Sequence, residues 1–374
     1  MIFCDIINEI KKNEYITEIS YHPSGNRLLI SDVKQNFHIF DLLPHFSSST
    51  SFRLMWVESS IIYDNSISGM ISRISWAPEC FGQLFVAGTT ERSISIWFET
   101  RKGYNDACHL IRNQNMFEGE LNVERYANIQ VIGDNSWRLL TTFSPFKGKI
   151  SSIKFADKDH GLIFAACDSS GVVGVFKCIN LANKVEWDLE TIRVRKNDHI
   201  LDLNTVNSEE CICCLDWIPY KISTWLGITV AINNHIYTFI KKSRFWTCIE
   251  TIAVNNVGAI KDVSWSKLAL FSDNYKFASL HEDNTLIIWR CVEPIKLNDL
   301  ERKRTISQLK KFEMTGMTER IYWHPLGQIL ACIECNGHAQ PKGGKLTNLG
   351  KNISFFSDKM LIHSLINTLG VCPP

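Results

Sequence analysis

Ile71-Ser72-Arg73-Ile74-Ser75-Trp76-Ala77-Pro78, then Leu84-Phe85-Val86-Ala87, a polar turn over Gly88 to Ser93, and Ile94-Ser95-Ile96-Trp97: this stretch decides the fold. Short bursts of β-forming residues split by a polar turn read as antiparallel strands. The same phrase comes back along the chain. It opens with a β-branched residue or Leu at i and i+3, sets an aromatic two residues on, often adds a Pro and a Gly, and closes on a second aromatic. The first copy runs Ile16, Ile19, Tyr21, Pro23, Gly25 to Phe40-Asp41, and the second Ile71, Ile74, Trp76, Pro78, Gly82 to Trp97. The third runs Ile150, Ile153, Phe155, Gly161 to Phe176, the fourth Ile212, Leu215, Trp217, Pro219, Gly227 to Phe239, and the fifth Ile260, Val263, Trp265 to Trp289. A sixth opens with Ile321, Trp323, Pro325, Gly327. From leading to closing aromatic the separations are 19, 21, 21, 22 and 24 residues, too uniform for chance.

Within a copy the hairpin repeats: Leu162 to Ala166 and Val172 to Phe176 around Asp168-Ser169-Ser170-Gly171, then Phe277 to Leu280 and Thr285 to Trp289 around His281-Glu282-Asp283-Asn284. A three-stranded unit with a variable fourth strand cannot bury both of its faces alone, so it must stack on its neighbours. The expectation is all-β: a six-bladed β-propeller over residues 1–336, with blades near 10–60, 66–143, 147–192, 209–254, 257–313 and 318–336, and a divergent C-terminal tail at 337–374. Leading aromatics stand 55, 79, 62, 48 and 58 residues apart, more than the roughly 40–45 of a WD-type blade. The excess falls in loops, the largest from Arg101 to Asn135. A tandem array of small domains is disfavoured, since no Pro/Gly/Ser linker separates the copies. The expected repeat core is Tyr21, Trp76, Trp97, Phe155, Phe176, Trp217, Phe239, Trp265, Trp289 and Trp323.

Composition fits one large folded domain: 374 residues, 45% hydrophobic and 21% charged, ample for a buried core. A net charge of +1 gives no bulk field towards nucleic acid. The 13 cysteines show no framework spacing, and those inside expected strands (Cys167, Cys178, Cys213, Cys332) read as buried reduced thiols of a cytosolic or nuclear protein. The start, Met1-Ile2-Phe3-Cys4-Asp5, lacks a signal-peptide shape, and no apolar run approaches a membrane span.

Candidate chemistry is thin. Cys332 and Cys335 with His338 resemble a zinc corner, but a tetrahedral site wants four ligands and no second pair is near. Cys211-Ile212-Cys213-Cys214 opens the fourth copy, where alternation makes its thiols packing groups. The 11 histidines fall in no metalloprotease or nucleophile-elbow context. His22 and His324 occupy one slot before Pro and are repeat features. The basic runs Lys241-Lys242-Ser243-Arg244 and Arg302-Lys303-Arg304 to Lys310-Lys311 are flanked by acids and read as solvated loops. Asn352-Ile353-Ser354 fits a glycosylation acceptor without the secretory context that would give it meaning. No enzymatic role, cofactor, metal or small-molecule substrate is expected.

Two blades carry a family resemblance. Ile71 to Leu84, followed by Thr90-Glu91-Arg92-Ser93-Ile94-Ser95-Ile96-Trp97, resembles the second blade of the paired WD-repeat proteins of the Seh and Sec type, respectively a scaffold nucleoporin and a COPII outer-coat subunit. The third blade, Ile153-Lys154-Phe155-Ala156 to Asp168-Ser169-Ser170-Gly171, is similar to both. Ile179-Asn180-Leu181-Ala182 to Trp187-Asp188-Leu189 looks like the longer linker and fourth strand of the Seh branch; Asn135-Ser136-Trp137-Arg138 to Thr141-Thr142 resembles the strand that ends the second blade of Seh-type proteins, and the long basic connection Glu293 to Phe312 before the last blade is similar to that branch as well. The resemblance runs from the first blade to about Ile333 and then lapses: Gly337 to Gly344 stands where a closing strand belongs. The two readings there are a replacement strand from Asn352-Ile353-Ser354-Phe355-Phe356 and an altered end.

The Seh-type resemblance implies a six-bladed WD-repeat propeller left open between its first and last blades, where an α-solenoid scaffold nucleoporin inserts strands as a further blade. It implies a structural subunit of the nuclear pore's Y-shaped complex at the nuclear envelope, with a second role in a GATOR/SEA-type nutrient-signalling complex at the vacuolar or lysosomal surface. The alternatives are the COPII coat subunit and a generic WD-repeat peptide adaptor. The expected contacts are Ile2, Phe3, Cys4 and Ile6 on one flank of the opening and Ile329, Ala331 and Ile333 on the other. Unpaired strand edges invite strand addition.

Overall fold

The computed structural model describes residues 16–46, 52–63, 68–100, 137–192, 195–196, 199–200, 211–220, 225–242, 245–267, 275–291, 306–313, 317–323, 329–335, 351–357 and 361–362. Among them the regular elements are strands and two short 3-10 turns. The strands are β1 (Ile16–Tyr21), β2 (Arg27–Asp32), β3 (Phe37–Phe46), β4 (Phe52–Ile62), β5 (Ile71–Trp76), β6 (Leu84–Thr89), β7 (Ile94–Glu99), β8 (Trp137–Phe143), β9 (Ile150–Phe155), β10 (Ile163–Asp168), β11 (Val173–Cys178) and β12 (Trp187–Ile192). After a two-stranded pair, β13 (Arg195–Lys196) and β14 (His199–Ile200), come β15 (Cys213–Trp217), β16 (Gly227–Ile232), β17 (His235–Lys242), β18 (Phe245–Ala253), β19 (Ile260–Trp265), β20 (Tyr275–His281), β21 (Thr285–Cys291), β22 (Ile306–Glu313), β23 (Met317–Trp323), β24 (Ile329–Cys335), β25 (Lys351–Ser357) and β26 (Leu361–Ile362). Apart from β13 and β14, each successive group of four makes one four-stranded sheet.

Contacts divide the chain into two compact units, Met1–Phe155 with Lys177–Asp188, and Ala156–Phe176 with Leu189–Pro374. In the first unit, β1 to β4 and β5 to β8 are antiparallel meanders whose strands lie side by side in chain order. The first strands β1, β5 and β9 are neighbours. Leu29, Phe37 and Ile39 of the first sheet join Ile74, Trp76, Phe85, Ala87, Trp97 and Trp137 of the second in one buried cluster. Gly88 lets β9 close in, since a Cβ there would lie 2.6 Å from the Ile150 side chain.

In the second unit three meanders, β15 to β18, β19 to β22 and β23 to β26, follow the same order. Here β15, β19 and β23 are neighbours. Trp265, Phe277, Ile287 and Trp289 of the middle sheet pack with Cys214, Ala231, Ile236 and Ile240 of the one before it. The last sheet extends past residue 336. Its third strand is Lys351–Ser357, which pairs Ile353 with Ile333 and Phe355 with Ala331, so this part of the expected tail is sheet.

One irregularity recurs where the repeat closes. The register between third and fourth strands slips at Ile39/Phe40, Ile96/Trp97, Thr238/Phe239 and Ile288/Trp289, each time at the closing aromatic. A β-bulge raises local twist, so the constant spacing to that aromatic marks a constant bend. The repeat's glycines have an equally local cause: Gly82 and Gly161 sit at φ 86° and 93°, closing 3-10 turns that a side chain would strain.

Trp265 is 1% exposed, and truncating a large buried aromatic removes its transfer energy and leaves a cavity. We expect Trp265→Ala to cost about 3–5 kcal/mol in urea unfolding; a loss below about 1 kcal/mol, the ordinary effect of a single substitution, contradicts a core role.

Candidate assembly surface

The leading aromatic of a copy belongs to the interface with the sheet before it. Trp76 donates its indole N–H to Ser20 O at 3.1 Å. Trp265 donates to Thr229 Oγ1 at 2.9 Å, while its backbone N–H reaches Asp216 Oδ2 at 2.7 Å. Trp323 donates to Ser264 O at 2.9 Å. Trp76, Trp217 and Trp265 are wholly or largely buried, as are the closing aromatics Trp97, Phe176, Phe239 and Trp289; Phe155 and Trp323 are half-buried.

Tyr21 breaks the pattern and corrects the expectation that it is core. It is 49% exposed, its ring edge-on to Trp56 at 6.1 Å. Among the described residues of its unit no sheet precedes β1, so the slot that covers Trp76 and Trp265 has no counterpart there. Tyr21 pairs with Leu28, Ile19 with Ile30, and Leu28 with Phe40. Leu28, Ile30 and Phe40 form a buried cluster with Ile16, Ile19 and Trp56 packed at its margin. Beyond it the β3–β4 ladder continues through Leu42 with Trp56 and Leu43 with Met55. Leu43, Leu54, Met55 and Val57 are exposed. Alternation sets Leu54 on the face of Leu42 and Trp56, and Leu43, Met55 and Val57 on the face of Asp41; the side carrying Tyr21 and Trp56 is the candidate surface.

Beneath the surface lies a polar staple that sequence reading missed. Arg27 is 1% exposed; its Nε meets Asp41 Oδ1 at 2.6 Å and its Nη2 meets Asp41 Oδ2 at 3.2 Å, a bidentate pair. Its Nη1 donates to Glu99 Oε2 at 2.6 Å and Gln83 Oε1 at 3.0 Å, crossing to the second sheet. Burial by itself would lower the Arg27 pKa, but the hydrogen bond and charge of Asp41, then Glu99, outweigh it and hold the guanidinium charged. The signal was present: an arginine directly before Leu28-Leu29-Ile30, and Asp41 directly after the closing aromatic.

The remaining candidates scatter. Ile2, Phe3, Cys4, Ile6 and His338 lie outside the described residues. Ile329, Ala331 and Ile333 occupy alternate positions of β24, a strand paired on both sides, with β23 and β25. Cys332 and Cys335 are on the same strand. Its hydrogen bond to Cys167, then burial, holds the Cys213 thiol well above its ordinary pKa and therefore protonated. Among the described residues no three His, Cys, Asp or Glu side chains converge as metal ligands, and no helix is long and apolar enough to cross a membrane.

Solved structures of similar shape define the class. The β-propeller domain of Cps50 (Swd1) from Myceliophteria thermophila matches at a TM-score of 0.56 with 9% identity, covering 93% of this chain and 84% of that one. A chain in the crystal structure of the mitotic checkpoint complex matches at 0.51 with 12% identity, covering 85% and 71%. The fold they share with this chain is that of a β-propeller. No family model matches the sequence. Among curated proteins the chain is similar to nucleoporin SEH1: 24% identical to the Bos taurus and Homo sapiens proteins over 206 residues, 55% of this chain and 44% of each relative. The Osmerus mordax nucleoporin SEH1 is 20% identical over 251 residues, 64% of this chain and 56% of the relative. The chain thus spans about half the length of the curated relatives it matches.

Removing one partner from a buried ion pair leaves the others uncompensated, at about 3–5 kcal/mol. Arg27→Ala is expected to lose that much in urea unfolding, whereas replacing Arg27, Asp41 and Glu99 together by apolar residues of similar volume loses much less. Equal losses from both contradict the staple.

Proposed function

We propose that this chain is a structural subunit of a nuclear pore scaffold, of the Y-shaped complex type, and that it works by binding an α-helical scaffold nucleoporin rather than by catalysis. The observation that carries the reading is the exposed Tyr21, a repeat-core position whose equivalents Trp76 and Trp265 are buried in clusters shared with the sheet before them. A partner that adds a blade-like layer there supplies the missing cover. The likeness to nucleoporin SEH1 supports the choice of complex.

Partner strands would lie along the first blade and the N-terminal segment containing Ile2, Phe3, Cys4 and Ile6, and along the last blade. Because both edges of β24 are paired, Ile329, Ala331 and Ile333 contribute in this reading through their shared face and not through new ladder bonds. Binding by apolar cover and backbone pairing needs no charged hot spot and depends weakly on salt. A second role in a GATOR/SEA-type complex uses the same surface.

The test is affinity purification of the tagged chain with imaging of a fluorescent fusion. Nuclear-rim labelling and a co-purifying α-solenoid nucleoporin are expected, and Ile6→Pro, which removes a backbone N–H, lowers partner recovery while circular dichroism stays unchanged. Labelling confined to endoplasmic-reticulum exit sites, or full recovery with an intact fold, contradicts the proposal.

A further inference from the structure

His38, on β3, is nearly buried, and both of its ring nitrogens face a carboxylate. Nδ1 lies 2.7 Å from Glu58 Oε1 and Nε2 lies 3.3 Å from Asp32 Oδ2. A neutral imidazole carries one N–H and one lone pair, so it would turn that lone pair on one of the two oxygens. Only the imidazolium donates to both. Asp32 is itself fully buried and fixed, accepting from the backbone N–H and the side-chain amide of Asn36 at 2.9 Å each. Among the described contacts, the charged groups facing the ring are Asp32, from the end of β2, and Glu58, from β4.

We propose that His38 is a proton-operated latch that ties the outer strand β4 to the β2–β3 turn of the first blade and releases it when the ring loses its proton. The strand is suited to such control. Among the described residues it is the outer strand of its sheet, paired with β3. Its ladder already slips beside Glu58, between the Ile39–Ser60 and Phe40–Glu58 pairs. The exposed Leu54, Met55 and Val57 ride on the same strand, so the latch governs how firmly these side chains are held. The latch belongs to the chain alone and stands whether or not a nucleoporin is the partner.

The direction follows from the balance at the ring. Burial alone would lower the His38 pKa; the hydrogen bonds to Glu58 and Asp32, and then their charges, outweigh it and leave the value above its ordinary 6.5. A pKa raised in the fold adds stability that is complete below the unfolded value and disappears as pH rises through the folded one. The latch is closed in mild acid and opens on the alkaline side.

NMR titration of the full chain, with amide exchange corrected for intrinsic rates, tests this. His38 is expected to titrate above 6.5, and protection across Ser59–Ile62 to fall several-fold as pH rises through that value, while Gly227–Ile232 stays unchanged. In His38→Gln the β4 protection becomes independent of pH, and in Glu58→Gln the His38 pKa drops, a readout that survives should the first variant fold poorly. Titration below 6.5, protection without pH dependence in the native chain, or the same dependence in His38→Gln overturns the proposal.

Discussion

A four-stranded sheet with apolar residues on both faces has no stable existence by itself, and here the constraint is met by setting each leading aromatic against the sheet before it. Trp76 bonds Ser20 O and Trp265 bonds Thr229 Oγ1, so the indole anchors one sheet to the next by packing and by a hydrogen bond together. The arrangement is directional. Trp76, Trp217 and Trp265 are buried against a preceding sheet and Phe155 and Trp323 half-buried, whereas Tyr21, which has no preceding sheet among the described residues of its unit, is 49% exposed. The feature that builds the repeat therefore also creates the surface most in need of a partner.

Polar groups reinforce this directionality. Asp216 and Asp262 each accept from a backbone N–H of the following sheet, Trp265 at 2.7 Å and Ile321 at 3.0 Å. Ser72 donates to Ile150 O at 2.7 Å. Arg27 does the same work at higher charge density, and a buried guanidinium with two carboxylates tolerates little displacement because each bond is charge-assisted. Such fastenings favour rigid blades with their activity at edges and faces, an arrangement suited to assembly.

The repeat was legible because its signal is spacing. Strand bursts, turns and closing aromatics recur at intervals that a bulge holds constant, and glycines mark turns at positive φ. What escaped was whatever depends on neighbours in space. Tyr21 reads like Trp76 in sequence, and only the lack of a preceding sheet makes it differ. Arg27 and His38 look like ordinary strand residues until Glu99, 72 positions away, and Glu58, 20 positions away, stand beside them. In the last sheet the strand Lys351–Ser357 matches one of the two readings of the sequence there, the replacement strand over Asn352 to Phe356.

The proposed assembly runs through the Tyr21 side of the first blade. Hydrogen–deuterium exchange of the free chain against its complex with the co-purified helical nucleoporin tests that most directly. The account predicts new protection across Ile16–Tyr21 and the adjoining part of Phe52–Ile62, with the turns at Thr89–Ser93 and Asp168–Val172 unchanged. Protection confined to those turns, with Ile16–Tyr21 exchanging as in the free chain, would contradict it and point to a peptide-reading face instead.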